Sequence, residues 1–100
     1  MRFSINDEHH KKNIPTLLRG LGYHPETNRR TGQISYIRSA SGGAFPRFHI
    51  YVDETDAGWM INLHLDQKAP SYSGTSAHGG EYDGDVVAGE IERLKPSMIR

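Results

Sequence analysis

Between residues 47 and 65 apolar and polar side chains alternate with a period of two, through RFHIYV and again through WMINLHL. A pleated strand is the backbone that turns such alternation into two distinct faces. Phe48, Ile50 and Val52 share one face of the first run, and Trp59, Ile61, Leu63 and Leu65 share one face of the second, so these side chains are expected to be buried. The intervening DETDAG is polar and ends in glycine, which suits a hairpin loop and makes the two strands antiparallel neighbours. The opposite face carries Arg47, His49 and Tyr51 beside Met60, Asn62 and His64, and is expected to be open to solvent.

A third strand-like segment, 33–38, is rich in β-branched and aromatic residues. Ahead of it, Ile14, Leu17, Leu18 and Leu21 recur at helical spacing, with Asn13 as cap, Pro15 in the first turn and Gly22 as a left-handed stop. At the other end Val87, Ile91 and Leu94 form an apolar stripe that Asp85 can cap and Pro96 can end. Residues 1–12 are read as a flexible lead, the last of them able to add a turn. Residues 24–32, HPETNRRTG, are read as a loop, and 66–85 as a second, long one. The expectation is therefore one α+β domain over residues 1–100: helix, three-stranded antiparallel sheet, helix, with both helices on the apolar face.

A chain of 100 residues without cysteine has room for one core and none for disulfides or thiolate metal sites, which favours a cytoplasmic setting. No run approaches the ~20 apolar residues of a membrane span, and MRFSINDEHHKKN carries charge where an export signal would be apolar. Formal net charge is zero but unevenly spread. Residues 1–50 hold eight Lys and Arg against three acids, +5, and residues 51–100 hold four against nine, −5. Such asymmetry makes a basic face for an anionic ligand, or lets the halves attract each other.

The element order, with LRGLGY closing the first helix and FHIYV on the middle strand, resembles the HicA-like mRNA interferases, small toxins with a double-stranded-RNA-binding-domain-like (dsRBD-like) fold. The likeness spans residues 13–65 and the last helix. It implies RNA as partner and metal-independent cleavage by a histidine on the middle strand. Family members carry Gly-Ser-His there, often with a second His; here the stretch reads Pro46, Arg47, Phe48, His49, and Phe48 stands where the family's first histidine would be. The 66–85 connection is also longer than the family's.

Read from the residues themselves, His49, His64 and Arg47 are the candidate catalytic set. One imidazole would take the 2′-hydroxyl proton, the other would protonate the leaving oxygen, and the guanidinium would stabilise charge on phosphorus. Arg29, Arg30, Arg38 and Tyr51 are the candidate nucleic-acid contacts. No cofactor is needed for this chemistry. The alternative is a small metal-binding domain in which His49, His64, Asp66 and His78, with Glu81 and Asp83 nearby in sequence, hold zinc or another divalent transition metal. A further alternative is a noncatalytic module that meets a protein partner through the acidic 66–85 segment with Tyr72 and Tyr82. His9, His10, Lys11 and Lys12 form a basic patch that a solvated terminus explains equally well.

Overall fold

The computed structural model describes residues 1–67, 80–81 and 84–99. Eight elements follow one another: β1 (Arg2–Asn6), α1 (Ile14–Gly20), β2 (His24–Thr27), β3 (Ile34–Ser39), β4 (Arg47–Thr55), β5 (Gly58–Asp66), β6 (Gly80–Glu81) and α2 (Asp85–Met98). The sheet is antiparallel with five strands in the order β1-β5-β4-β3-β2, and the two-residue β6 pairs with the end of β5. This corrects the expected three-stranded sheet flanked by two helices.

Three strands lie where none was expected, the two-residue β6 among them, within the supposed loop 66–85. β1 occupies the supposed flexible lead because Phe3 and Ile5 alternate inward beside Ile61 and Trp59, and its backbone completes β5's outer edge. β2 occupies the supposed loop 24–32. All four of its residues are exposed, so its strand character comes from pairing with β3 rather than from burial.

The central hairpin is as the alternation requires, with longer strands. β4 and β5 are joined by only Asp56 and Ala57, and the register sets Val52 opposite Ile61, Ile50 opposite Leu63 and His49 opposite His64. Gly58 follows the turn at φ 147°, and a Cβ there would collide with the backbone of Ile5 and Asp7. Glycine thus lets β1 lie against the turn.

One apolar layer collects Phe3, Ile5, Phe48, Ile50, Ile61, Leu63 and Leu65 from the sheet, Ile14 and Leu18 from α1, and Val87, Ile91, Leu94 and Met98 from α2. Val52 and Trp59 are only partly buried, at the margin of this core. Asn13 caps α1 by accepting from the Thr16 amide at 3.1 Å, and Gly22 at φ 98° ends it. α2 departs from expectation at both ends. Its N-cap is Gly84 rather than Asp85, and Pro96 lies inside the last turn, where the carbonyl that loses its donor belongs to the exposed Glu92.

Two polar clusters tie the helical layer and the turns together. Glu90 on α2, 5% exposed, accepts from Tyr23 Oη at 2.6 Å and from the Arg93 guanidinium at 2.8 and 2.9 Å. Burial alone would raise its pKa, but the hydrogen bonds from Arg93 and Tyr23 and the charges of Arg93 and Arg38 outweigh it and hold the carboxyl low. Asp7, beyond β1, accepts from the Lys11 and Lys12 amides and from Trp59 Nε1, and these bonds lower its pKa to about 2. His10 Nε2 donates to the Thr55 and Gly58 carbonyls across the hairpin turn, so part of the basic patch is structural rather than a solvated terminus.

Candidate functional site

On the sheet face opposite the core, the period of two brings Arg47, His49 and Tyr51 of β4 beside Asn62, His64 and Asp66 of β5. Register sets His49 against His64 and Arg47 against Asp66, while Ser35 of β3 lies diagonal to His49. The two imidazole centroids are 5.0 Å apart, and the Tyr51 ring stacks on both, at 4.7 Å from His49 and 5.6 Å from His64.

Asp66 organises the group. Its Oδ2 lies 3.0 Å from His49 Nδ1 and 3.3 Å from Arg47 Nε, and its Oδ1 lies 3.0 Å from His64 Nε2. The second nitrogen of His49, Nε2, meets Ser35 Oγ at 2.7 Å. The carboxylate therefore accepts from three nitrogen donors, and His49 is held at both ring nitrogens. Arg47 also reaches Glu26 of β2 at 3.5 Å and lies over the Phe45 ring at 4.8 Å.

The histidines do not project into solvent as expected: each is 8% exposed. Burial is the largest influence on His64 and pushes its pKa below the ordinary 6.5; the charge of Asp66 pulls the other way, and that of His49 adds to the lowering. A neutral imidazole at neutral pH is the form that binds a metal ion or accepts a proton.

One donor atom from each of His49, His64 and Asp66 lies within 4.8 Å of the others, so three of the four residues named for a metal come together. The fourth, His78, lies outside the described residues, as do Asp83, Tyr72 and Tyr82. Most of the acidic 66–85 segment therefore carries no structural test of the protein-partner reading.

The residues named for nucleic acid do not gather. Arg29 and Arg30 are exposed in the turn between β2 and β3. Arg38 belongs to the other face of the sheet, 3.7 Å from Glu90, and its guanidinium lies 6.0 Å from the centre of the Phe48 ring. Only Tyr51 of that set is at the site. Ser35 was missed by the sequence reading, because only the β3–β4 register places it against His49.

Two depressions flank the cluster on this face. One, of about 330 Å³, is bordered by Gln33, Tyr51, Asp53, Asn62 and His64, and the other, of about 310 Å³, by His24, Ile37, Ser39 and Arg47 with Gly43 and Ala44. Among the described residues no helix is long and apolar enough to cross a membrane. Compared with known proteins, the chain matches no family model, no curated protein and no solved structure.

Proposed function

We infer that this chain is a small metal-binding domain whose centre is His49, His64 and Asp66, taking zinc or a similar divalent transition ion. The observation that carries the reading is the convergence of two imidazole nitrogens on the two oxygens of one carboxylate, each at 3.0 Å. Imidazole with carboxylate is a donor set suited to such ions, and three protein ligands leave a coordination position for water or a substrate oxygen. Ser35 supports the reading from behind. When Nδ1 of His49 ligates, its proton belongs on Nε2, where Ser35 Oγ at 2.7 Å can accept it and hold the ring in place.

Zinc titrated into the purified chain by calorimetry at neutral pH should bind one ion per chain. Ser35→Ala should weaken that binding by about 10–100-fold, the usual cost of losing an outer hydrogen-bond partner. Absence of saturable zinc binding would sink the metal reading.

A second reading is favoured by the direct opposition of His49 and His64 with Arg47 beside them, and by the HicA-like resemblance. It is RNA cleavage by the two imidazoles as acid and base, without a metal. Labelled RNA would then be cut in the presence of chelator, and the His49→Ala, His64→Ala double variant would lose about 10²–10⁴ in rate. Equal cleavage by the double variant rules that reading out.

A further inference from the structure

We propose that the cleft beside Arg47 is a recognition site for an oxyanion attached to an apolar body, such as a phosphate monoester or a carboxylate, and that a metal ion on Asp66 strengthens its grip. The first half stands on the cleft alone, and the second rests on the metal-centre reading. The cleft is lined by His24, Ile37, Ser39, Gly43, Ala44 and Arg47 and holds about 310 Å³, at the small end of the range for ligand pockets. Four of its walls, His24, Ile37, Ser39 and Arg47, project from the same sheet face as His49, His64 and Asp66.

Its chemistry has two parts. Ile37 and Ala44 give an apolar surface, whereas Arg47 gives a planar guanidinium whose fork matches a carboxylate or phosphate edge. Phe45 supports the guanidinium from one side at 4.8 Å and limits where it can swing.

At present that guanidinium is shared between two carboxylates, Nε with Asp66 at 3.3 Å and Nη1 with Glu26 at 3.5 Å. Both contacts are long for charge-assisted hydrogen bonds. The Glu26 side chain is 44% exposed, so water screens that pair and an incoming oxyanion can replace it. Asp66 is the stronger hold. A dication bound by Asp66 would repel the guanidinium and satisfy the carboxylate in its place, turning Arg47 toward the cleft. Metal and anion would thereby favour each other, and the coupling must be reciprocal.

Phenyl phosphate and benzoate, titrated into the full chain and followed by backbone amide NMR shifts, test this directly. Shifts should centre on Ile37, Gly43 and Ala44 and saturate, and the tighter of the two probes identifies phosphate monoester or carboxylate as the natural anion class. One equivalent of zinc should tighten the binding by about 5–150-fold, and the probe should tighten zinc by the same factor. Arg47→Gln should abolish the anion response. Ala44→Glu, at an exposed position, should abolish it too by setting a competing carboxylate before Arg47. The amide spectrum of each variant reports whether it has folded. Zinc failing to bind would end the coupling and the metal reading together, while the zinc-free titration still decides the cleft. Cleft amides that do not respond, or an undiminished response in Arg47→Gln and Ala44→Glu, would overturn the proposal.

Discussion

Ile61→Ala is expected to destabilise the fold by about 2–5 kcal/mol, through lost burial and the cavity left behind. Ile61 is 0% exposed and sits mid-strand in β5, with Val52 opposite it on one side and Phe3 on the other. Hydrogen-bonded ladders on both sides fix its backbone, so the sheet cannot close around the smaller side chain. The loss should lie toward the upper part of that range, where sites relax least. Urea unfolding measures it, and a change below about 1 kcal/mol would contradict the placement of Ile61 at the centre of the core.

Asp66→Asn should lose zinc binding by more than the about 10–100-fold expected of an outer partner such as Ser35, because it removes a ligand and its negative charge together. The amide keeps one acceptor oxygen but replaces the other with a donor. It cannot accept from His49 Nδ1 and His64 Nε2 at once as the carboxylate does. The zinc-free variant should also be destabilised, by about 1 kcal/mol, as hydrogen bonds to an ionised carboxylate become weaker neutral ones. Calorimetry and urea unfolding read the two effects separately. Unchanged zinc affinity would remove Asp66 from the centre, whatever happens to stability.

The parts of this fold legible in the sequence are those where burial and period coincide. β4 and β5 announce themselves because Phe48, Ile50, Ile61, Leu63 and Leu65 alternate with polar residues and are all buried. α1 is legible from its Leu and Ile stripe and its caps. β1 contributes just two inward side chains, Phe3 and Ile5, too few for a period to stand out from a charged lead. β2 buries nothing, and His-Pro-Glu-Thr has the composition of a turn; its place is set by the exposed edge of β3. Pro96 misleads because proline is a poor helix residue in general, yet here the carbonyl it deprives belongs to an exposed residue, Glu92.

The same logic divides the site. His49 and His64 follow from a hairpin alternation that any reader of residues 47–65 can draw. Asp66 becomes a partner of both only because β5 runs one residue past the last apolar position, Leu65. Ser35 depends on the offset between β3 and β4, which the connection over residues 40–46 does not announce. The expectation of an open face failed because a side chain's direction from the sheet is a property of the strand, whereas its exposure depends on the side chains that surround it on that face, here Ser35, Tyr51 and Asp66 around the two imidazoles.

The turn of Asp56 and Ala57 contains no residue of the site, yet its length governs the site. His49 lies six positions before Thr55 and His64 six after Gly58, so the two imidazoles meet because equal arms are counted from one corner. At about 3.4 Å per residue that corner is about 20 Å away. One residue added there and absorbed as a slip of β5 would bring a core side chain opposite His49 and send His64 to the other face. Composition at the corner can drift while its length cannot, and an insertion far from any ligand would silence the centre as thoroughly as loss of a histidine.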